Sequence, residues 1–132
     1  MTTRFPASPP DTDPESLFAR LGGEVPIQAV MDGLFGRIMN DPELAPIFGR
    51  VNIERHSRRT AAFVWTATGG PHAWSGRDMV TAHRHLGVTN AQFDRVAAHL
   101  DATLDEMAVP AGPRDELLTL VGSLRSQIVA DS

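Results

Sequence analysis

The chain has 132 residues, a formal net charge of −4 and no cysteine. This length predicts a single domain, and the absence of cysteine excludes a disulfide framework, a thiolate metal site and any thioether-linked cofactor. A mildly acidic chain without a basic block predicts neither nucleic acid nor an anionic membrane as a partner. No apolar run approaches the roughly 20 residues that span a bilayer. No apolar signal core follows Met1, so we expect a cytoplasmic protein.

Residues 1–13 are rich in proline and small polar side chains. Such a composition cannot drive burial, so we predict a disordered N-terminal extension followed by one domain over residues 14–132. The Asp-Pro-Glu segment at 13–15 predicts the start of a short helix, because it offers a capping side chain, a first-turn proline and a first-turn acid. Gly22 and Gly23 are expected to end that helix.

Apolar residues recur at helical spacing from about Val25 to Met39, which predicts a second helix. The Asp-Pro sequence at 41–42 restarts the chain for a single turn that carries Phe48. Asn52 can cap a third helix that runs to about Thr68, where a Gly-Gly-Pro segment ends it. One face of this third helix is predicted to carry Ile53, His56, Thr60, Phe63, Val64 and Ala67.

The second half of the chain also shows helical periodicity. A short helical stretch is expected around residues 78–85, and Gly87 closes it. Thr89 and Gln92 fit a capping box at the start of a long helix, which residues 110–113 are expected to break. A last helix is predicted to carry Leu117, Leu118, Val121, Leu124 and Ile128. Because no segment alternates like a strand, the predicted fold class is all-α, with four long helices and a few short ones.

Two histidines stand out as candidates for chemistry. His83 lies on one side of the short 78–85 stretch with Met79, and such a histidine can serve as an axial ligand to an iron. Pattern alone favours the simpler interpretation of His83 as a surface residue at a helix end. His56 lies on the apolar face of the third helix, where an imidazole needs a ligand or a hydrogen-bond partner, and a core-edge histidine is again the simpler interpretation.

The remaining polar residues predict little chemistry. His85 points to a different side from His83, which argues against a shared metal site. His72 and His99 are expected to be solvated, and the acidic residues to lie at helix starts and on polar faces. No phosphate-binding glycine pattern, His-Glu-x-x-His or Gly-x-Ser-x-Gly sequence is present.

Several short segments taken together resemble the truncated haemoglobins of the first group, over about Ser16 to Val129. They are LFARLGG at 17–23, DPELAPIF at 41–48, AF at 62–63 with the GGP that follows at 69–71, WSGRDM at 74–79, AH at 82–83 and LGVT at 86–89. The resemblance implies a two-over-two helical sandwich around haem b, held non-covalently. It also implies binding of diatomic gases (O2, NO, CO), with His83 as the proximal iron ligand.

Two departures from the family pattern concern the distal side. Phe35 stands where the family usually has a tyrosine, and the chain has no tyrosine at all. His56 and Thr60 stand where the family often has glutamine. The usual tyrosine–glutamine network cannot form, so either His56 donates a hydrogen bond to the gas ligand or it binds the iron itself. The second alternative gives a six-coordinate bis-histidine iron, suited to electron transfer or redox sensing.

The resemblance also implies which residues surround the haem. Arg59 is the first candidate to meet the propionates, followed by Arg84 and His85. The expected contacts are Phe35, Phe48, Arg59, Thr60, Phe63, Met79, His85, Leu86, Val88, Phe93, Val96 and Leu124.

Three functions remain open from the sequence. The first is a gas-binding haem protein, with nitric oxide dioxygenase or peroxidase-like turnover if a separate reductase supplies electrons, because the chain shows no flavin or nicotinamide domain. The second is a six-coordinate haem protein for electron transfer, redox sensing or detoxification of nitric oxide or peroxide. The third is a helical interaction domain that has lost its haem. No long apolar patch demands a partner, so a monomer is expected.

Overall fold

The computed structural model describes residues 14–70 and 87–129, and within these ranges all regular structure is helical. The helices are α1 Leu17–Arg20, α2 Glu24–Met39, a 3₁₀ helix Ala45–Phe48, α3 Ile53–Ala67, α4 Asn90–Glu106, α5 Ala111–Gly122 and α6 Arg125–Ile128. The described residues contain no strand, which confirms the all-α prediction. The predicted extension at 1–13 and the predicted helix at 78–85 lie outside the described residues.

Side-chain caps fix the starts of the third and fourth helices, as predicted. The side-chain oxygen of Asn52 accepts a hydrogen bond from the Arg55 backbone N–H at 3.0 Å. Thr89 and Gln92 form a reciprocal capping box, in which each side chain accepts from the other residue's backbone N–H. Both devices satisfy donors that a helix start leaves without an intrahelical acceptor.

The start predicted at residues 13–15 is wrong, because α1 begins at Leu17. Ser16 is its capping residue, and the Ser16 hydroxyl oxygen accepts from the Ala19 backbone N–H at 3.1 Å. The acceptor of a serine thus serves a backbone N–H three positions further along the chain, the usual arrangement at a helix start.

The break predicted at residues 110–113 occurs earlier in the chain. The chain turns around Ala108, which adopts a left-handed φ of 58°, and α5 begins at Ala111 with Pro110 before it. Gly112 and Pro113 therefore lie in the first helical turn. A proline is tolerated there because the N–H groups of the first turn have no intrahelical partner.

The single last helix that was predicted is interrupted. α5 ends at Gly122, and a turn at Ser123 and Leu124 precedes the short α6. The Ser123 hydroxyl donates to the Leu120 carbonyl, a local hydrogen bond that competes with continuation of the helix.

Helix α2 forms the centre of the fold, because it packs against both α3 and α4. Helix α4 packs in turn against α5, and α1 contacts α5. The buried side chains of α2 lie at helical spacing and form much of the main hydrophobic core. They are Ile27, Val30, Met31, Leu34, Phe35 and Ile38.

The crossing of α2 and α4 depends on a glycine. A Cβ at Gly33 would lie 2.9 Å from Cγ2 of Thr103, so only glycine permits this approach without a shift. Thr103 cannot rotate freely, because its hydroxyl donates to the His99 carbonyl at 2.8 Å.

A second close contact joins α1 to the end of α3. The Phe18 backbone N–H donates to the Thr68 carbonyl at 2.9 Å, and a Cβ at Gly70 would overlap the Phe18 ring. Gly69 adopts a φ of +98°, which side-chain-bearing residues rarely take. This Gly-Gly pair therefore ends α3 and also allows α1 to dock against it.

An apolar cavity of about 180 Å³ lies between α2, α3, α5 and the turn that joins α4 to α5. Val64 of α3 lines it from one side, and Val109 of the turn lines it from the other. The other lining residues are Arg20, Leu21, Pro26, Ile27, Val30, Met31, Met107, Ala108, Pro110 and Leu117.

We expect Gly33→Ala to destabilise the protein. Overpacking costs roughly 1–3 kcal/mol, and the higher helix propensity of alanine recovers at most about 1 kcal/mol. Gly36→Ala on the same helix is the matched control, because no heavy atom lies within 4 Å of its added Cβ. Urea denaturation should give a lower midpoint for the first variant and an equal or higher midpoint for the second. Equal midpoints for the two variants would show that the α2–α4 crossing accommodates the added methyl group with little loss of stability.

Candidate functional site

Helix α3 presents two different flanks to the rest of the molecule. Ser57, Ala61 and Val64 are buried against the core. The adjacent flank carries His56 and Thr60, which are half-buried. The predicted single apolar face therefore requires correction, because the residues that fill the core are displaced by about one position from the histidine face.

A polar network holds the core flank of α3 against α2. The Ser57 hydroxyl donates to Asp32 Oδ1 at 2.7 Å and accepts from Gln28 Nε2 at 3.1 Å. Gln28 also donates to the same Asp32 oxygen. These bonds satisfy the buried Ser57 side chain and fix the rotation of α3 about its axis.

Phe35, Phe48 and His56 form a cluster of three rings in mutual contact. The Phe35 and His56 centroids are 5.0 Å apart and the rings are nearly perpendicular, at 77°. Phe48 lies 5.9 Å from Phe35 and 5.6 Å from His56. The rings come from α2, the 3₁₀ helix and α3, so three separate segments position the cluster. The structure thus brings together three residues that were candidates for the site in the sequence analysis.

Thr60 lies one helical turn after His56, and its hydroxyl is already engaged. Thr60 Oγ1 donates to the His56 carbonyl at 2.9 Å, so its hydrogen points into the helix backbone. The phenyl ring of Phe35 has no donor. Of the Phe35, His56 and Thr60 side chains, the His56 imidazole is the one that carries a ring N–H.

Other predicted site residues lie elsewhere. Val88 and Phe93 are buried in a small separate cluster with Val129. The Arg125 guanidinium covers the Phe93 ring at 4.5 Å. Val96 is half-buried against the main core.

The structure places the remaining predicted residues as follows. Phe63 is half-buried and packs against the main core, and Arg59 is exposed on α3. Leu124 lies in the turn before α6. Met79, His83, Arg84, His85 and Leu86 lie outside the described residues.

The burial of Asp41 was not predicted from the sequence. Asp41 is 4% exposed, and the Arg95 guanidinium donates two hydrogen bonds to its carboxylate, at 3.0 and 2.9 Å. His99 Nε2 lies 2.7 Å from the same carboxylate and donates to it. The expectations that His99 is solvated and that all acids lie at helix starts or on polar faces are wrong. The partners are more than 50 positions apart, so no local pattern shows the cluster.

The Asp41 cluster also shapes the turn that carries Phe48. The Glu43 backbone N–H donates to Asp41 Oδ1 at 2.8 Å. The Leu44 and Ala45 N–H groups donate to the Asp41 carbonyl. Hydrogen bonds from Arg95 and then from His99 hold the pKa of Asp41 far below its usual range, against an opposing effect of burial.

Comparison with known proteins agrees with this architecture. The family model for bacterial-like globins matches residues 16–130. The group 1 truncated hemoglobin LI410 of Chlamydomonas moewusii is 32% identical over 88% of this chain and 69% of its own length. The chain belongs to the truncated haemoglobin family. Membership in this family implies haem-based gas binding.

Solved structures of truncated haemoglobins share the fold. THB1 of Chlamydomonas reinhardtii is 38% identical, with a TM-score of 0.74 over 92% of this chain and 98% of the other. The 2/2 hemoglobin of Synechococcus sp. PCC 7002, solved in the cyanomet state with covalently attached heme, is 29% identical. Its TM-score is 0.81 over 89% of this chain and 99% of the other.

The described residues of this truncated haemoglobin fit one face of a haem. Such a face needs apolar walls against the ring, and the hydrogen-bond donors near the iron decide how a ligand is held. The ring cluster supplies two phenyl rings and one imidazole. Residues 14–70 and 87–129 hold no group of three side chains that could bind a separate metal ion, and none of their helices is long and apolar enough to cross a membrane.

We expect Asp41→Asn to lower stability at neutral pH, because it weakens the bonds from Arg95 and His99. The low pKa in the folded state means that this contribution is present above the unfolded-state pKa of about 3.9 and is lost as pH falls through the folded-state value. Urea midpoints of parent and variant should therefore differ at pH 7 and converge as pH falls below about 4.

Glu116→Gln is the control for this experiment. Arg20 also lowers the pKa of Glu116, but that carboxylate is half-exposed, so the loss at neutral pH should be smaller. An Asp41→Asn variant as stable as the parent at pH 7 would contradict an anchoring role for the cluster.

Proposed function

We propose that the chain binds haem b non-covalently, with His83 as the proximal iron ligand and His56 on the distal side. In this proposal the haem iron is the centre at which O2, NO or CO binds reversibly. The observation that supports it most directly is the contact of Phe35, Phe48 and His56, since these rings form an apolar wall with one imidazole.

The polarity of the distal side follows from three side chains. Phe35 offers no hydrogen bond, and the Thr60 hydroxyl donates to the helix backbone. His56 is then the group that steadies a polar gas ligand by donating its ring N–H. A single neutral donor contributes about 0.5–1.5 kcal/mol, so O2 should leave faster than from relatives with a tyrosine–glutamine network.

The rest of the proposed pocket follows the family resemblance. Arg59 is exposed one position before Thr60, where its guanidinium can pair with a haem propionate. Arg84 and His85 are the next candidates for that role. The other proposed contacts are Phe63, Met79, Leu86, Val88, Phe93, Val96 and Leu124.

The proposal of non-covalent attachment depends on which side chains could form a covalent bond to the haem. The chain has no cysteine, so a thioether link cannot form. His99, the histidine of α4, is engaged with Asp41. Because the Synechococcus relative carries covalently attached heme, the point needs a direct test. Acid–acetone extraction should remove the haem from this chain completely.

A second candidate function is a six-coordinate haem protein in which His56 itself binds the iron. The observation that favours it is the edge-on packing of Phe35 against the His56 ring, which limits the rotation of the imidazole. Such iron suits electron transfer, redox sensing or detoxification of nitric oxide or peroxide. Detoxification of nitric oxide or peroxide, like nitric oxide dioxygenation, needs electrons from a reductase.

We expect His83→Gly to abolish the normal ferrous spectrum of haemin-loaded protein, because it removes the proximal nitrogen. Millimolar imidazole should restore that spectrum, since free imidazole can replace the lost ligand. His85→Gly is the matched control and should keep the parent spectrum. The proposal fails if the parent takes up no haemin, or if His85→Gly rather than His83→Gly loses the spectrum.

The role of His56 can be tested by O2 dissociation in a stopped-flow experiment. If His56 is the hydrogen-bond donor, the His56→Leu substitution should speed O2 dissociation by about tenfold, equivalent to about 1.4 kcal/mol. Thr60→Val is the control and should change the rate by less than about twofold, because the Thr60 hydroxyl serves the backbone. Faster dissociation in Thr60→Val alone would refute the assignment of the donor.

The ferrous spectrum without gas distinguishes the two candidate functions. A single broad visible band in both parent and His56→Leu indicates an open iron site and supports gas binding. Sharp, split visible bands that disappear in His56→Leu indicate that His56 is the sixth ligand and support the second candidate.

A further inference from the structure

The arginines of the described residues fall into two groups. Five of the nine pair with carboxylates outside residues 50–59. They are Arg20, Arg37, Arg95, Arg114 and Arg125. The other four, Arg50, Arg55, Arg58 and Arg59, are exposed and form no ion pair with any described residue.

These four arginines are concentrated in one place, which we term the arginine face. Residues 50–59 contain all four and a single acid, Glu54, in a chain with a net charge of −4. Arg55, Arg58 and Arg59 are three and four positions apart, so they share one side of α3. That side differs from the buried Ser57–Ala61–Val64 flank. The described residues of this acidic chain thus include a localised positive region at the arginine face.

The arginine face borders the proposed haem site. Arg59 directly precedes Thr60, and Arg55 directly precedes His56 on the same helix. A partner that contacts these arginines therefore lies beside the distal side of the proposed pocket. Its position suits the delivery of electrons to the haem.

We infer that the arginine face is the docking surface for an acidic electron-transfer protein, such as a small flavoprotein reductant. This inference rests on the proposed haem function, which requires electrons from another molecule. Charge complementarity favours a compact acidic protein over a long polyanion or a membrane. A compact partner can contact Arg50, Arg55 and Arg58, beside the Arg59 proposed for a propionate, without meeting the acidic remainder of the surface, whereas an extended polyanion meets both.

The test measures reduction of the ferric, haem-loaded full chain by reduced flavodoxin in a stopped-flow instrument. The second-order rate should fall as salt is added, because exposed charges are screened over a Debye length of about 8–10 Å. Arg55→Gln/Arg58→Gln should be about tenfold slower than the parent at low salt and less sensitive to salt. Neither residue has been placed in the haem pocket.

Two controls make the result specific. Ser126→Glu/Gln127→Glu lowers the net charge by the same two units on exposed positions of α6 and should leave the rate within about twofold of the parent. Reduction by dithionite should be equal for all three proteins, since a small reductant needs no docking face. Equal flavodoxin rates for the parent and the arginine variant would overturn the inference.

Calorimetric titration of flavodoxin into the full chain provides an independent readout. We expect binding that Arg55→Gln/Arg58→Gln weakens and that the α6 control leaves unchanged. If the chain takes up no haemin, the proposed function fails, whereas the docking face is still judged by this titration. Absence of flavodoxin binding, together with arginine-dependent binding to phosphatidylserine vesicles or to duplex DNA, would also overturn the inference.

Discussion

The buried carboxylate of Asp41 is the constraint on which the site depends. An ionised group at that depth is tolerated only when charged and hydrogen-bonding partners surround it, and Arg95 and His99 provide them. Together they join the corner after α2 to the middle of α4. The same residue organises the turn that leads to Phe48, whose ring contacts His56. The geometry of the ring cluster therefore depends on an electrostatic anchor that is not part of it.

Helix α3 separates the requirements of folding from those of the site. Its core flank is fixed by packing and by the bonds between Ser57 and Asp32, so the helix cannot rotate. Its other flank, with His56 and Thr60, contributes less to the core. Substitutions on that second flank can therefore change the chemistry of the proposed pocket without loss of the fold.

Much of the fold could be predicted because its signals are local. The caps at Asn52 and Thr89 and the apolar stripe of α2 depend on residues within a few positions of one another, and the structure confirms them. The placement of Phe35 and His56 on the same side of the site was expected only through the family resemblance, since periodicity alone does not join two helices. The interruption at Ser123 was missed because apolar spacing continues across it.

The Asp41 cluster and the Gly33 contact could not have been predicted from local patterns. Each joins residues that are far apart in the chain, and each depends on how two helices cross. Neither the charge of Asp41 nor the missing side chain of Gly33 indicates which distant residue it contacts. The arginine face differs, because its four residues lie close together in the sequence, and the structure adds only that the other described arginines pair with carboxylates.

The apolar cavity beside Val64 has a consequence for the volume of the protein. Its lining is largely aliphatic, so it offers few polar groups to hold ordered water. The space therefore adds to the volume of the folded protein. Unfolding removes such voids and makes the system smaller, which is the direction that hydrostatic pressure favours. The space between α2, α3 and α5 should therefore add to the pressure sensitivity of the fold.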